Sequence, residues 1–173
     1  LLAVGSRSQT SADAFAQTYD VGRAYASYAE LAGDPDVDVV YVATPHTAHF
    51  ENTMLCLEAG KHVLCEKPFA LNSVQTEQMV TLAKRNGLFL MEAMWMRFIP
   101  LIIDLRRRVD AGDIGHVRMI QSDFGFRAPL NPQSRLFSPE LAGGALLDLG
   151  IYPLAFSAAL LGKPTEITSL ANI

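Results

Sequence analysis

Apolar positions along this chain come in two rhythms. Short, nearly unbroken runs, Val39-Val40-Tyr41-Val42-Ala43, His62 to Glu66 and Leu88 to Ala93, read as parallel strands covered on both faces, since a half-exposed strand would alternate. Between them the spacing is helical. Phe50, Met54 and Leu57 share one face of a helix that Gly60 follows, and Asn72 can cap a second helix with Gln75 three residues on and Gly87 after Asn86. Strands alternating with helices predict a doubly wound α/β sheet.

After Trp95 the texture changes. Pro100 suits the first turn of a helix whose Ile102, Leu105 and Val109 form an apolar face, and Gly112 and Gly115 punctuate the chain before a strand-like run from Val117 to Phe126. The expected division is therefore a first domain over residues 1–112 and the start of a second over 113–173, where Thr165 to Ile173, with apolar Ile167, opens another strand pattern. Arg106-Arg107-Arg108 reads as a solvated helix face.

Composition narrows the class without changing the architecture. Half of the 173 residues are hydrophobic, 18% are charged and the net charge is −4, which argues against a nucleic-acid partner. No uninterrupted apolar run approaches the ~20 residues of a membrane helix, so no membrane partner is expected. Cys56 and Cys65, the only cysteines, are too few for a disulfide framework or zinc site and read as buried thiols in a reducing cytoplasm.

The chemistry begins at Glu66-Lys67-Pro68, which places an acid, an amine and a rigid proline where a parallel strand ends. Ligands bind outside the carboxyl ends of the strands in open α/β sheets, so a lysine there reads as a site residue.

Three ordered blocks carry a family resemblance: Ala43-Thr44-Pro45-His46-Thr47-Ala48-His49, Ala59 to Pro68, and Gly143 to Pro153. In these the chain resembles the glucose-fructose oxidoreductase / inositol dehydrogenase (Gfo/Idh/MocA) family, on the branch that holds dimeric dihydrodiol dehydrogenase and NADP-dependent D-xylose dehydrogenase. The resemblance implies a Rossmann domain followed by a domain built on a large open sheet. It also implies a first strand and a glycine-rich pyrophosphate turn roughly 20 to 30 residues ahead of Leu1, and most of the second domain after Ile173. On that pattern residues 1–173 alone would bind cofactor poorly. A homodimer or higher homo-oligomer is the expected assembly of the full-length protein.

The same resemblance distributes roles. Gly5-Ser6-Arg7-Ser8 ends the second Rossmann strand without the carboxylate that favours NAD; Arg7 suits a 2′-phosphate, with Ser6 and Ser8 as hydroxyl donors, so NADP is expected, with NAD possible. Thr44, Pro45 and His46 would line the nicotinamide half of the cofactor by their backbone, while His49 reads as a structural histidine. Asp148 and Tyr152, four apart, share one helix face. Lys67, from across the cleft, would favour the phenolate of Tyr152. The resulting expectation is an oxidoreductase that oxidises a secondary or anomeric hydroxyl of a sugar or cyclic diol. Tyr152 accepts the proton, Lys67 holds the hydroxyl and the ribose, Asp148 orients the site, Glu66 and Pro68 serve the cofactor or its backbone, and Trp95 and Phe124 wall the substrate. Two other classes of the same fold stay open, a non-catalytic dinucleotide-sensing regulator and an NAD-dependent glycosidase.

Overall fold

The computed structural model describes residues 1–170, and the predicted alternation of strand and helix is its plan through residue 93. Strands β1 (Ala3–Gly5) and β2 (Arg23–Tyr25) pair in parallel on either side of helix α1 (Gln9–Tyr19) in the chain order; α2 (Tyr28–Gly33) leads to a second parallel ladder. That ladder has the order β3 (Val39–Val42), β4 (His62–Cys65), β5 (Leu90–Glu92), connected through α3 (His49–Glu58) and α4 (Ser73–Arg85). The register sets Val42 beside Cys65 and Cys65 beside Glu92, so the three strands end together.

The helix boundaries follow ordinary capping chemistry. Ser8, Ser27 and Asn72 accept from the amides of Ser11, Glu30 and Gln75, satisfying donors that the first turns of α1, α2 and α4 leave unpaired. The core lies on one side of the β3–β5 ladder: Val40, Val42, Val63 and Cys65 meet Ala32 of α2, Cys56 and Leu57 of α3 and Leu82 and Ala83 of α4. Val39 and Tyr41, on the opposite face, are 58% and 54% exposed, so the expectation of a strand covered on both faces is corrected to one. The buried stripe of α3 is also rotated from the predicted one. It consists of His49, Thr53, Cys56 and Leu57, with Phe50 and Met54 only partly covered.

At the start of the strands a charge network ties the elements. Arg23 grips Asp34 with Nη1 at 2.8 Å and Asp36 with Nη2 at 2.6 Å, the Tyr25 hydroxyl donates to Asp34 at 2.8 Å, and buried Lys61 donates to the Asp34 carbonyl at 2.7 Å. Hydrogen bonds from Arg23, the Asp36 amide and Tyr25 hold the Asp34 carboxyl down to about 2.

The chain separates into two compact units between Ala93 and Met94, not between residues 112 and 113 as expected. The reason lies in α5 (Pro100–Ala111): it packs with the 3-10 turn Trp95–Phe98 and with α6 (Ile151–Leu161), both in the second unit. Proline opens α5 as predicted, and its exposed arginines pair with Asp104, Asp110 and Asp113. The run from Val117 to Phe126 forms no strand, and neither does Thr165 to Leu170. An isolated strand leaves its amides and carbonyls unpaired, and no strand of the second unit is available to pair with either among the described residues. The last three residues of the predicted Thr165–Ile173 strand lie outside the described residues.

Pro139–Leu161 is long and apolar enough, at a mean hydropathy of 1.6, to cross a membrane, contrary to the sequence expectation. Its backbone is not one continuous helix. A 3-10 turn at Pro139–Leu141 gives way to Ala142 and Gly144 at φ 52° and 137°, then to a π-helical turn, Leu146–Gly150, and finally to α6. The 11 residues of α6 span only ~16 Å, about half of the ~30 Å hydrocarbon layer.

Candidate active site

The carboxyl ends of β3, β4 and β5 gather the predicted strand-end residues of the first unit. Glu66 continues the ladder through its amide, which donates to the Val42 carbonyl at 2.9 Å, and the Ala93 amide donates to the Cys65 carbonyl at 2.7 Å. Beyond that point the chain turns through a cis Lys67–Pro68 bond. The Glu66 carboxylate accepts from the Lys67 amide at 3.0 Å and from the Tyr41 hydroxyl on β3. Partial burial and this partner push the Tyr41 phenol up to about 12, so it stays a donor near neutrality. Glu66 therefore braces its own turn against the neighbouring strand. Glu92 does the same from β5, accepting from the Phe69 amide at 3.0 Å.

His49, at the first turn of α3, joins the two loops. Its Nδ1 lies 2.7 Å from the Pro68 carbonyl oxygen and its Nε2 2.8 Å from that of Thr44, and the side chain is fully buried. Each contact sets a ring nitrogen against a carbonyl acceptor, and the tautomer decides which nitrogen donates. The structural role expected of His49 is thus the role it has, and through it Thr44-Pro45-His46 and Glu66-Lys67-Pro68 are held as one surface. Asn52, one turn on, donates to the Thr44 hydroxyl at 3.1 Å. His46 is buried within the 3-10 turn His46–Ala48.

At the end of β1, Ser6 donates its amide to the Tyr25 carbonyl, and Arg7 projects into solvent. Among the described residues Arg7 forms no ion pair, which leaves its guanidinium available beside the amino end of α1. Ser8 is committed differently from the expectation, because its hydroxyl caps α1 and donates to Ser11 at 2.9 Å. A helix amino end with an unpaired arginine fits an anionic phosphate.

In the second unit Trp95, Phe124 and Tyr152 come together. The Trp95 indole N–H donates to the Tyr152 hydroxyl oxygen at 3.0 Å, with ring centroids 5.6 Å apart, and the Phe124 and Tyr152 rings meet in a T-shaped contact with centroids 5.3 Å apart at 82°. They line a cavity of about 300 Å³ together with Met96, Asp123 and Phe156. Asp148 is buried on the π-helical turn and pairs with Arg135 at 3.0 Å. Gly143-Gly144 makes the approach to that turn possible. A Cβ on Gly143 would lie 2.8 Å from the Ser138 carbonyl oxygen, and Gly144 has a φ of 137° that side chains resist. Lys67 belongs to the first unit, and Asp148 and Tyr152 to the second.

Tyr41, Glu92 and Arg135 were not singled out in the sequence. Tyr41 had a signal, a polar tip inside an otherwise aliphatic strand. Arg135 lies in an irregular segment whose sequence spacing to Asp148 carries no periodicity. Burial pushes the thiols of Cys56 and Cys65 up to about 11, which makes both inert packing groups.

Comparison with known proteins agrees with this geometry. Residues 1–94 match the model of the GFO/IDH/MocA oxidoreductase family, NAD-binding Rossmann fold, and residues 102–172 match the GFO/IDH/MocA C-terminal domain. The chain is 43% identical to a trans-1,2-dihydrobenzene-1,2-diol dehydrogenase of Mus musculus, over 100% of the chain and 52% of that protein. It is 46% identical to a D-xylose 1-dehydrogenase (NADP(+)) of Hypocrea jecorina, over 90% of the chain and 43% of that protein. The crystal structure of an aldose-aldose oxidoreductase from Caulobacter crescentus, complexed with glycerol, superposes with a TM-score of 0.85 at 34% identity, covering 94% of the chain and 50% of that structure. The chain spans about half the length of the curated relatives it matches.

Proposed function

Because the chain belongs to the GFO/IDH/MocA oxidoreductase family with an NAD-binding Rossmann fold, we propose that the protein is an NADP-dependent dehydrogenase that oxidises a secondary or anomeric hydroxyl of a sugar or cyclic diol. The observation that carries this reading is the Tyr152 hydroxyl on the wall of an aromatic cavity of about 300 Å³, a volume at the small end of ligand sites. Aromatic walls suit the apolar face of either substrate class.

The residues present fit the cofactor. Unpaired Arg7 at the amino end of α1 would take the 2′-phosphate with help from Ser6, and this favours NADP over NAD. The surface formed by Thr44, Pro45, His46, Glu66, Lys67 and Pro68 at the strand ends would take the nicotinamide half. Bound NADP supplies the hydride acceptor for the carbinol carbon. Tyr152 accepts the hydroxyl proton as that C–H bond breaks, Lys67 holds the same hydroxyl and the cofactor ribose, and Asp148, fixed by Arg135, orients the tyrosine-bearing helix. Trp95 and Phe124 bound the substrate.

In this reading the partners are a small neutral substrate and a second copy of the protein, with no nucleic acid and no membrane. Two buried, unlinked thiols suit a reducing cytoplasm.

The test uses the full-length protein with NADP and a panel of aldoses and cyclic diols, followed by absorbance of the reduced cofactor. At least one substrate is expected to reduce it, and Tyr152→Phe is expected to lower turnover by ~10²–10⁴-fold with cofactor affinity unchanged. Tight NADP binding without reduction on any substrate would favour the dinucleotide sensor instead.

A further inference from the structure

Tryptophan carries a donor and no acceptor. At 3.0 Å the Trp95 Nε1–H therefore fixes the direction of its bond to Tyr152: the phenol oxygen accepts, and the phenol proton points elsewhere. The contact is not incidental to packing. The two rings are tilted by 60° at 5.6 Å, so the indole presents its N–H edge to the hydroxyl instead of stacking on the ring, while Phe124 packs against the tyrosine ring in a T-shaped contact. The tyrosine ring touches two aromatic neighbours and its oxygen is held by a directed donor.

From this we infer that Trp95 is a positioning residue for proton transfer, whose indole N–H aims the Tyr152 oxygen and stabilises it when it carries negative charge. The inference rests on the reading of Tyr152 as proton acceptor. A hydrogen bond to an ionised acceptor is roughly twice as strong as one to its neutral form, so a fixed N–H favours the deprotonated oxygen, the form that can take the substrate's proton. Loss of the donor moves the active form to higher pH.

Among the charged groups of its unit, Asp123 lines the same cavity as Tyr152, Asp148 lies four residues earlier and pairs with Arg135, and Arg97 follows on the Trp95–Phe98 turn. A change confined to position 95 leaves all of them in place.

The test is the pH profile of the full-length enzyme with NADP and its best substrate. Trp95→Phe keeps an aromatic wall and removes the N–H; replacement of Trp95 by benzothienylalanine keeps the whole bicycle with sulfur in place of N–H and guards against loss of packing. Both are expected to lower kcat at neutral pH about tenfold, to move the acid limb of kcat up by about one pH unit, and to recover turnover at high pH, with KM little changed. A raised KM with the acid limb unmoved in the benzothienylalanine variant overturns the inference and leaves Trp95 as a wall alone. Tyr152→Phe is run beside them. If it retains turnover at every pH, the proton-acceptor reading itself falls; if it loses turnover while the Trp95 variants keep the native profile, only the role of Trp95 falls.

Discussion

In residues 1–93 the groups proposed for the cofactor sit on strand ends backed by a core in which Leu57, Val63, Cys65 and Met79 are completely buried. Beyond residue 93, Tyr152, Trp95 and Phe124 are held chiefly by one another, and among the described residues only Met94 and Asp148 are buried there. The first arrangement places chemistry through backbone: a ladder fixes where Glu66 and Lys67 begin, and His49 locks the two loops with bonds to carbonyl oxygens. The second places chemistry through side chains, by one indole N–H, two ring contacts and one ion pair. Backbone placement is tolerant of side-chain change at the site but sensitive to the core beneath it. Side-chain placement is the reverse.

Three measurements bear on this contrast, from the largest expected effect to the smallest. Leu57→Ala removes a fully buried side chain under β3 and β4 and is expected to cost ~2–5 kcal/mol by denaturant unfolding. Leu154→Ala in α6, where Leu154 is 59% exposed, is expected to change stability by less than ~0.5 kcal/mol. Equal losses at the two positions would erase the distinction between the units.

Gly143→Ala sharpens it from the other side. Its Cβ would meet backbone at 2.8–2.9 Å, which cannot move aside as a side chain can, so a loss of ~1–3 kcal/mol is expected. The turn carrying Asp148 and Tyr152 should shift with it. Gly33→Ala, at a glycine with open space around it and no positive φ, is the control and should be neutral or slightly stabilising. A neutral Gly143→Ala would mean that the approach to the π-helical turn is not constrained by backbone contact.

The smallest effect belongs to acid. Asp34 is held at about 2, below the ~3.9 of an unfolded aspartate, so its contribution is complete above roughly pH 4 and is lost as pH falls toward 2. Stability curves of the parent protein and Asp34→Asn should therefore differ near neutrality, draw together below about pH 4 and converge as pH falls to about 2. Parallel curves across that range would show that the Arg23–Asp34 network at the strand starts does not stabilise the first unit.

Much of the first unit was legible in the sequence. The runs at Val39, His62 and Leu88 became β3, β4 and β5 because parallel strands need unbroken apolar stretches, and the cap at Asn72 uses a local hydrogen bond that spacing alone predicts. The second unit was less legible. Val117 to Phe126 has strand composition, but a strand is a relation between two segments, and composition cannot supply the partner. The compact division was misplaced for a similar reason, since glycines mark where a chain turns, not what α5 packs against. Trp95, Phe124 and Tyr152 were identified through the family resemblance as site residues, but the hydrogen bond between Trp95 and Tyr152 has no signature in a sequence separation of 57 residues.

Sequence by itself determined the alternating α/β plan, the strand-end position of Glu66-Lys67-Pro68 and the absence of an acid beside Arg7, because each depends on neighbours within a few residues. Only the tertiary structure decided that His49 binds two loops, that Ser8 serves its helix, that Arg135 pairs with Asp148, and that an indole N–H is aimed at the Tyr152 oxygen. Those are directed contacts between distant segments, set by the angles at which the elements pack, and hydrogen bonds reward such angles steeply enough to give each residue its role.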